Sequence, residues 1–269
     1  MQTPPVVLSI AGFDPSSGAG VTADIKTLAA HGCYGVGCIT ALTVQTTAGV
    51  RGVHPIAAEV VRDTLEELAG DFSIAAIRLG MLGSAEVVEA VTEFLATEPA
   101  PHIVLDPVLR SSSGAELLEA GGVRRLVEGL LPLCTVITPN AAEAEVLAGI
   151  PVRDLTAMGE AARALHRMGV PGVVVTAGHL DPPTDLLSHF DGERVRQIEF
   201  PGTHIVSGST HGTGCAFATA LAANLALGYP LAEAVGKAKK YVAGAIAAAP
   251  GVGRGIGPLE HLWNLRKPR

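Results

Sequence analysis

Residues 210–215 read Thr-His-Gly-Thr-Gly-Cys and run straight into an alanine-rich helix pattern, AFATALAANLALG. Gly212, Thr213 and Gly214 let backbone N–H groups converge where side chains would obstruct them, and the helix that follows adds its positive N-terminal end. Together they form an anion hole, of the kind that holds charge on a migrating phosphoryl group. A thiol at such a terminus is expected to have a lowered pKa, which makes Cys215 a candidate base for an alcohol, or a nucleophile. A cysteine nucleophile would need a fixed histidine, and His211 is the only near candidate.

Other residue groups carry complementary chemistry. Asn140-x-x-Glu143 stands past a strand pattern and in the first turn of a helix, and Asp106 ends the preceding strand. Two carboxylates and an amide around anionic phosphates suggest magnesium held largely through water, although Asn140 and Glu143 also have capping-box spacing. The loop GFDPSSGAGVTADIK contains Gly18-x-Gly20-x-x-Ala23, formally a dinucleotide fingerprint. No Asp or Glu lies between Asp24 and Glu59 to hold a ribose, so a glycine loop closing over a small substrate, with Asp24 reaching into the cleft, suits these residues better. No Gly-x-x-x-x-Gly-Lys-Ser/Thr occurs, which excludes a Walker-type phosphate loop.

These residues need a scaffold that brings them to one edge. Apolar strand-type runs recur at 6–12, 36–44, 74–80, 102–108, 135–140 and 172–178, separated by helix patterns at 19–30, 57–68, 85–96, 123–130, 141–147 and 158–168. Such alternation predicts an α/β fold: a doubly wound, mostly parallel central sheet with helices on both faces. Two alternating runs around Asp191-Gly192 predict a small antiparallel edge hairpin, and two last helices follow at 214–227 and 231–248. No repeat, low-complexity linker or charge block divides the chain, so 1–269 is expected to be a single domain. In such sheets ligands bind beyond the carboxyl ends of the strands, which here gathers Gly12, Asp14, Gln45, Met81, Asp106, Asn140 and Thr176.

Composition narrows the function classes. A net charge of −7 without a Lys/Arg run longer than two gives no field for nucleic acid. The four cysteines form no Cys-x-x-Cys pair, so neither a metal knuckle nor a disulfide framework is indicated, and reduced thiols in a cytosol fit best. Apolar stretches are too short for a membrane helix. A cytoplasmic protein without a nucleic-acid or membrane partner is expected.

With these residues assembled, the chain resembles the hydroxymethylpyrimidine/phosphomethylpyrimidine kinases of thiamine biosynthesis, within the ribokinase-like superfamily. The likeness runs through SIAGFDPSSGAGVTADIKT, ITALTVQTTAGV, GML, LDPV, ITPNAAEAEVL, GHL, STHGTGCAFATALAANLALG and GRGIGPLEH, almost the whole chain. It implies ATP- and magnesium-dependent phosphorylation of 4-amino-5-hydroxymethyl-2-methylpyrimidine and of its monophosphate. It also implies that Gly12, Asp24 and Gln45 contact the pyrimidine while Met81 and Val108 wall its ring. Asp106 and Glu143 would serve magnesium, and Asn140, Thr176, His211, Thr213 and Gly214 would lie along the nucleotide. In the broader superfamily an aspartate base follows the glycines; the pyrimidine kinases have cysteine, here Cys215. Members are commonly homodimers. Two lysines usual in the family are replaced, one by Thr176 and one by Ser112 in the loop after the fourth strand, and Arg110 is expected to supply a compensating cation. The rival readings are a pyridoxal or pyridoxine kinase and a non-catalytic pyrimidine sensor.

Overall fold

Alternate residues of the central strands are apolar toward two opposite sides, which requires cover on both faces of one sheet. The computed structural model describes residues 3–98, 100–111, 114–177, 180 and 183–266. Its strands are β1 (Val6–Phe13), β2 (Tyr34–Thr46), β3 (Gly49–Pro55), β4 (Ile74–Leu79), β5 (Ile103–Leu105), β6 (Val136–Ile137), β7 (Gly172–Val175), β8 (Asp185–Asp191) and β9 (Arg194–Phe200). They form a nine-stranded sheet in the order β3-β2-β1-β4-β5-β6-β7-β8-β9. From β2 to β7 the neighbours run parallel, and the sheet is antiparallel at both ends.

The helices are α1 (Gly20–Ala30), α2 (Ala58–Asp71), α3 (Ala85–Thr97), α4 (Ala120–Arg125), α5 (Ala141–Ala148), α6 (Leu155–Arg167), α7 (Thr213–Ala226) and α8 (Leu231–Ala247). Leu8, Ile10, Ile77, Leu79, Leu105 and Val173 point to the face covered by α2, α3, α5 and α6. Val7, Ala76, Val104, Val136 and Val174 point to the face covered by α1, α7 and α8. Alanine dominates α7, and its small side chains let that buried helix lie close against the strands.

The mostly parallel, doubly covered sheet and the hairpin β8–β9 match the pattern of the sequence. One strand does not: β3 reads GVRGVHP, with two glycines, a proline and much exposed surface, so it carries no apolar run of its own. It forms because β2 supplies an edge to pair with, and the pairing slips in register between Val44 and Gln45. The expected helix at 123–130 is α4 continued by a π-helical turn, Leu126–Leu130. The order in which strands are added reverses at β1, which has β2 on one side and β4 on the other, opening a crevice at the carboxyl edge.

Candidate active site

On the face under α1 and α7, the apolar alternation is broken by a polar row. Ser9 of β1 pairs in register with Arg78 of β4, and Asp106 follows β5 next to them. The Arg78 side chain has no exposed surface, and a charge so placed must be paired. Its Nη2 donates to Asp106 Oδ2 at 2.7 Å, and Nη1 lies 3.1 Å from Asp24 Oδ2, an ion-pair distance outside hydrogen-bond alignment. Ser9 Oγ and Thr219 Oγ1 donate to the Asp24 carboxylate at 2.6 and 2.7 Å. Asp24 therefore does not reach into an open cleft as expected. It is fully buried, because the Arg78 charge beneath α7 demands a counter-ion there.

Cys215, in the first turn of α7, joins this group, and its protonation also corrects an expectation. Burial raises its pKa, Asp106 and Asp24 add to the rise, and Arg78 and the Gly20 backbone only partly offset it; the thiol is pushed up to about 12. One guanidinium cannot neutralise two carboxylates and a thiolate together, so the helix terminus does not yield a resting thiolate. Burial likewise raises Asp24 and Asp106, against the pull of Arg78. Arg78 was not singled out from the sequence, yet a lone arginine inside the apolar strand IAAIRL was the available signal.

The anion hole is built backbone on backbone. Gly212 caps α7 with φ +85°, and a Cβ there would collide with the Gly18 carbonyl. Gly20 has φ +61°, and a Cβ there would collide with the Gly12 carbonyl. Both glycines are therefore required by close approach as well as by left-handed backbone. Asp14 fastens this junction: Ser16 N–H donates to Oδ1 at 2.8 Å, and the N–H groups of Gly18 and Ala19 donate to Oδ2 at 3.2 and 3.0 Å. His211 Nε2 lies 2.8 Å from Asp14 Oδ2 and 3.1 Å from the Gln45 amide nitrogen. Burial pushes the Asp14 carboxyl up, but hydrogen bonds from His211 and Ser16 outweigh it and hold the pKa below the usual value. Gln45, on the long strand β2, is thereby tied to the turn that leads into α7, whose first residues are Thr213 and Gly214.

The remaining residues sort into two neighbourhoods. Met81 belongs to a small apolar cluster with Ala41 and Leu117, against which Val108 packs, and its sulfur lies 3.0 Å from where a Gly12 Cβ would stand. Gly12, Met81 and Val108 thus come together as a wall. Asn140 caps α5, accepting from Glu143 N–H at 3.0 Å, while Glu143 Oε2 accepts from Asn140 N–H at 3.0 Å. Thr176 bridges in parallel to Asn140 at the ends of β6 and β7. Arg110 is exposed in the loop after β5; Ser112 and Ser113, and Gly178 and His179 of the GHL segment, lie outside the described residues.

Glu143 is pushed up to about 8 by burial and then by the Asp106 charge, against hydrogen bonds from the Asn140 and Leu109 backbones. Two buried hard oxygen donors, Glu143 raised by burial and the Asp106 charge and Asp106 raised by burial, fit a divalent cation, which would favour both ionised forms. Among the described residues no set of three or more His, Cys, Asp or Glu gathers at metal-binding spacing, so the fit is to a hydrated ion rather than a protein cage. Beside the anion hole, the loop before His211 and the loop after α8 line a cavity of about 640 Å³, with Val206, Ser209, Ile246, Val252 and Gly257 among its walls.

Residues 14–260 match the family model described as phosphomethylpyrimidine kinase. The hydroxymethylpyrimidine/phosphomethylpyrimidine kinase of Haemophilus influenzae is 42% identical over 260 residues, covering 95% of this chain and 96% of that protein. The thiamine biosynthesis bifunctional protein ThiED of Geobacter sulfurreducens is 42% identical over 256 residues, and this chain spans about half of it, 52%. Among solved structures, the pyridoxal kinase of Staphylococcus aureus in complex with ADP is similar with a TM-score of 0.88 at 32% identity, covering 98% of this chain and 96% of that one.

Proposed function

The chain belongs to the phosphomethylpyrimidine kinase family, and from that premise we propose that it transfers the γ-phosphoryl group of ATP to 4-amino-5-hydroxymethyl-2-methylpyrimidine and then to its monophosphate. The observation that carries this reading is the meeting, at the start of α7, of a glycine-built anion hole with the Arg78–Asp24–Asp106–Cys215 cluster, beside the wall of Gly12, Met81 and Val108. The pyrimidine lies against that wall, with Gln45 reading its amino edge. The nucleotide base enters the 640 Å³ cavity, and the phosphates run past His211, Asn140 and Thr176 to Thr213 and Gly214. The backbone N–H groups there hold charge as it develops, so positioning and electrostatics supply most of the acceleration.

A protonated thiol cannot accept a further proton, so Cys215 acts as a relay. As the bond from the γ-phosphorus to ADP breaks and the new O–P bond forms, the substrate hydroxyl passes its proton to Sγ and the thiol proton moves to an oxygen of the transferred phosphoryl group. Asp106 and Glu143 would hold hydrated Mg²⁺, which supplies charge neutralisation for the nucleotide phosphates when bound. Arg110, whose side chain is exposed on the loop after β5, adds a cation in place of the replaced lysines.

The likeness to a pyridoxal kinase favours a second reading, phosphorylation of a pyridine alcohol at the same site. ADP release coupled to NADH oxidation, with the pyrimidine, its monophosphate and pyridoxal compared as acceptors, decides between them. A cytoplasmic homodimer completes the proposal: Ile39, Leu42 and Val44 of β2 are exposed apolar side chains that a second copy would cover. Light scattering that returns the mass of one chain at assay concentration would rule the dimer out.

A further inference from the structure

The segment 250–258, PGVGRGIGP, has glycine at every second position from Gly251 to Gly257. Such a chain loses more conformational entropy on ordering than an ordinary loop, so it keeps one shape only where other residues fix it. It nonetheless walls the cavity of about 640 Å³ through Gly251, Val252, Gly253, Gly255 and Gly257. One end is fixed beside the anion hole, where Gly257 N–H donates to the Gly208 carbonyl at 2.9 Å and the Gly257 carbonyl accepts from His211 N–H at 3.0 Å. The middle is fixed by Thr47, in the turn between β2 and β3. Thr47 Oγ1 accepts from the N–H groups of Arg254 and Gly255, each at 3.2 Å, and the Thr47 carbonyl accepts from Ile256 N–H at 2.9 Å. A hydroxyl oxygen has two lone pairs, and both are used here. The fit is also steric: a Cβ at Gly253 would collide with the Thr47 side chain, and one at Gly255 with the Thr47 carbonyl.

We infer that Thr47 is a positioning residue for the nucleotide. The inference rests on the kinase reading, in which the base enters that cavity. Thr47 stands two positions beyond Gln45, so the hairpin that presents the pyrimidine-reading side chain also braces the wall of the neighbouring cavity. Gln45 itself is held separately, by the β2–β3 pairing, by the Thr43 hydroxyl and by His211. Removing the Thr47 hydroxyl therefore loosens the wall and leaves the acceptor side in place. Strand β3 gains a task from this arrangement: the pairing of Thr46 with Gly49 closes the turn at Thr47-Ala48 and puts Thr47 Oγ1 opposite Arg254 and Gly255.

Three variants test it: Thr47→Val keeps the shape and removes the acceptor, Thr47→Ser keeps the acceptor, and Gly255→Ala drives the wall off the Thr47 carbonyl. The KM for ATP should rise at least about fivefold in Thr47→Val and Gly255→Ala, the worth of about one hydrogen bond, and stay within about twofold of the parent in Thr47→Ser. The KM for the pyrimidine should stay within about twofold of the parent in all three, a split that general loosening of the fold would not produce. Calorimetric titration with the non-hydrolysable analogue AMP-PCP and Mg²⁺ reads the same change as a Kd, without turnover. Hydrogen exchange at Arg254 and Gly255 should quicken in Thr47→Val and not in Thr47→Ser. If Gly255→Ala does not fold, the two Thr47 variants decide. An ATP KM and an AMP-PCP Kd within about twofold of the parent in Thr47→Val, a Ser variant as weak as Val, or equal rises in the KM values of both substrates would overturn the role. A parent inactive on every acceptor yet able to bind AMP-PCP would instead overturn the functional reading, and calorimetry alone would judge Thr47; a parent that binds no AMP-PCP would overturn both.

Discussion

One guanidinium serves three acidic groups at this site, and the weakest acid of the three, Cys215, keeps its proton. The consequence is measurable in the pH dependence of the first phosphorylation. A thiolate base with a pKa near 12 would make kcat rise tenfold per pH unit across the neutral range, since its charged fraction does so. A relay uses the protonated form, so kcat should stay flat from about pH 7 to 9.5. Cys215→Ser, whose hydroxyl can also relay, should retain kcat within about tenfold, and Cys215→Ala should lose about a hundredfold, the low end of a positioned proton transfer. The monophosphate, whose acceptor oxygen is already ionised, should suffer less in both variants; a log-linear rise with pH, or Ser no better than Ala, would contradict the relay. The place of Cys215 was legible in THGTGC because a helix terminus is a local feature. Its proton was not, because Asp24 and Asp106 arrive from α1 and the end of β5, far away in the chain.

At the level of loops and strands, the two glycine motifs read separately in the sequence as a substrate loop and an anion hole, and they prove to be one stacked object. Gly212→Ala must meet both a positive φ and the Gly18 carbonyl, whereas Gly192, in the β8–β9 turn with φ +63°, has open space where a Cβ would stand. Gly192→Ala should therefore cost about 1 kcal/mol of backbone strain with activity intact. Gly212→Ala should lose more than about 2 kcal/mol in chemical denaturation and at least a hundredfold in kcat, since strain and a displaced donor add. Equal behaviour of the two variants would refute the stacked arrangement. The loop after β5 carries its own prediction: Arg110→Ala should lower turnover with ATP by more than about tenfold, the worth of one charged phosphate contact, and an effect under twofold sinks the idea. Strand β3 was illegible because its composition is that of a loop and only the edge of β2 makes it a strand.

Over the whole molecule, the sheet turns scattered residues into neighbours. Ser9, Arg78 and Asp106 stand 69 and 28 positions apart in the chain, yet three adjacent strands place them in one row beneath α7. The parallel strands and the edge hairpin were readable as apolar runs and turn signals, so the carboxyl edge as a place for chemistry was readable too. The strand order was not, and with it went the charge cluster that only that order creates. This edge is proposed to phosphorylate an aminopyrimidine alcohol. ADP release measured with saturating ATP and Mg²⁺ decides it: turnover is expected with the hydroxymethylpyrimidine and with its monophosphate, each at a kcat/KM at least about tenfold above that for pyridoxal, a margin of about 1.4 kcal/mol. ADP release no faster with either pyrimidine than without an acceptor would contradict it.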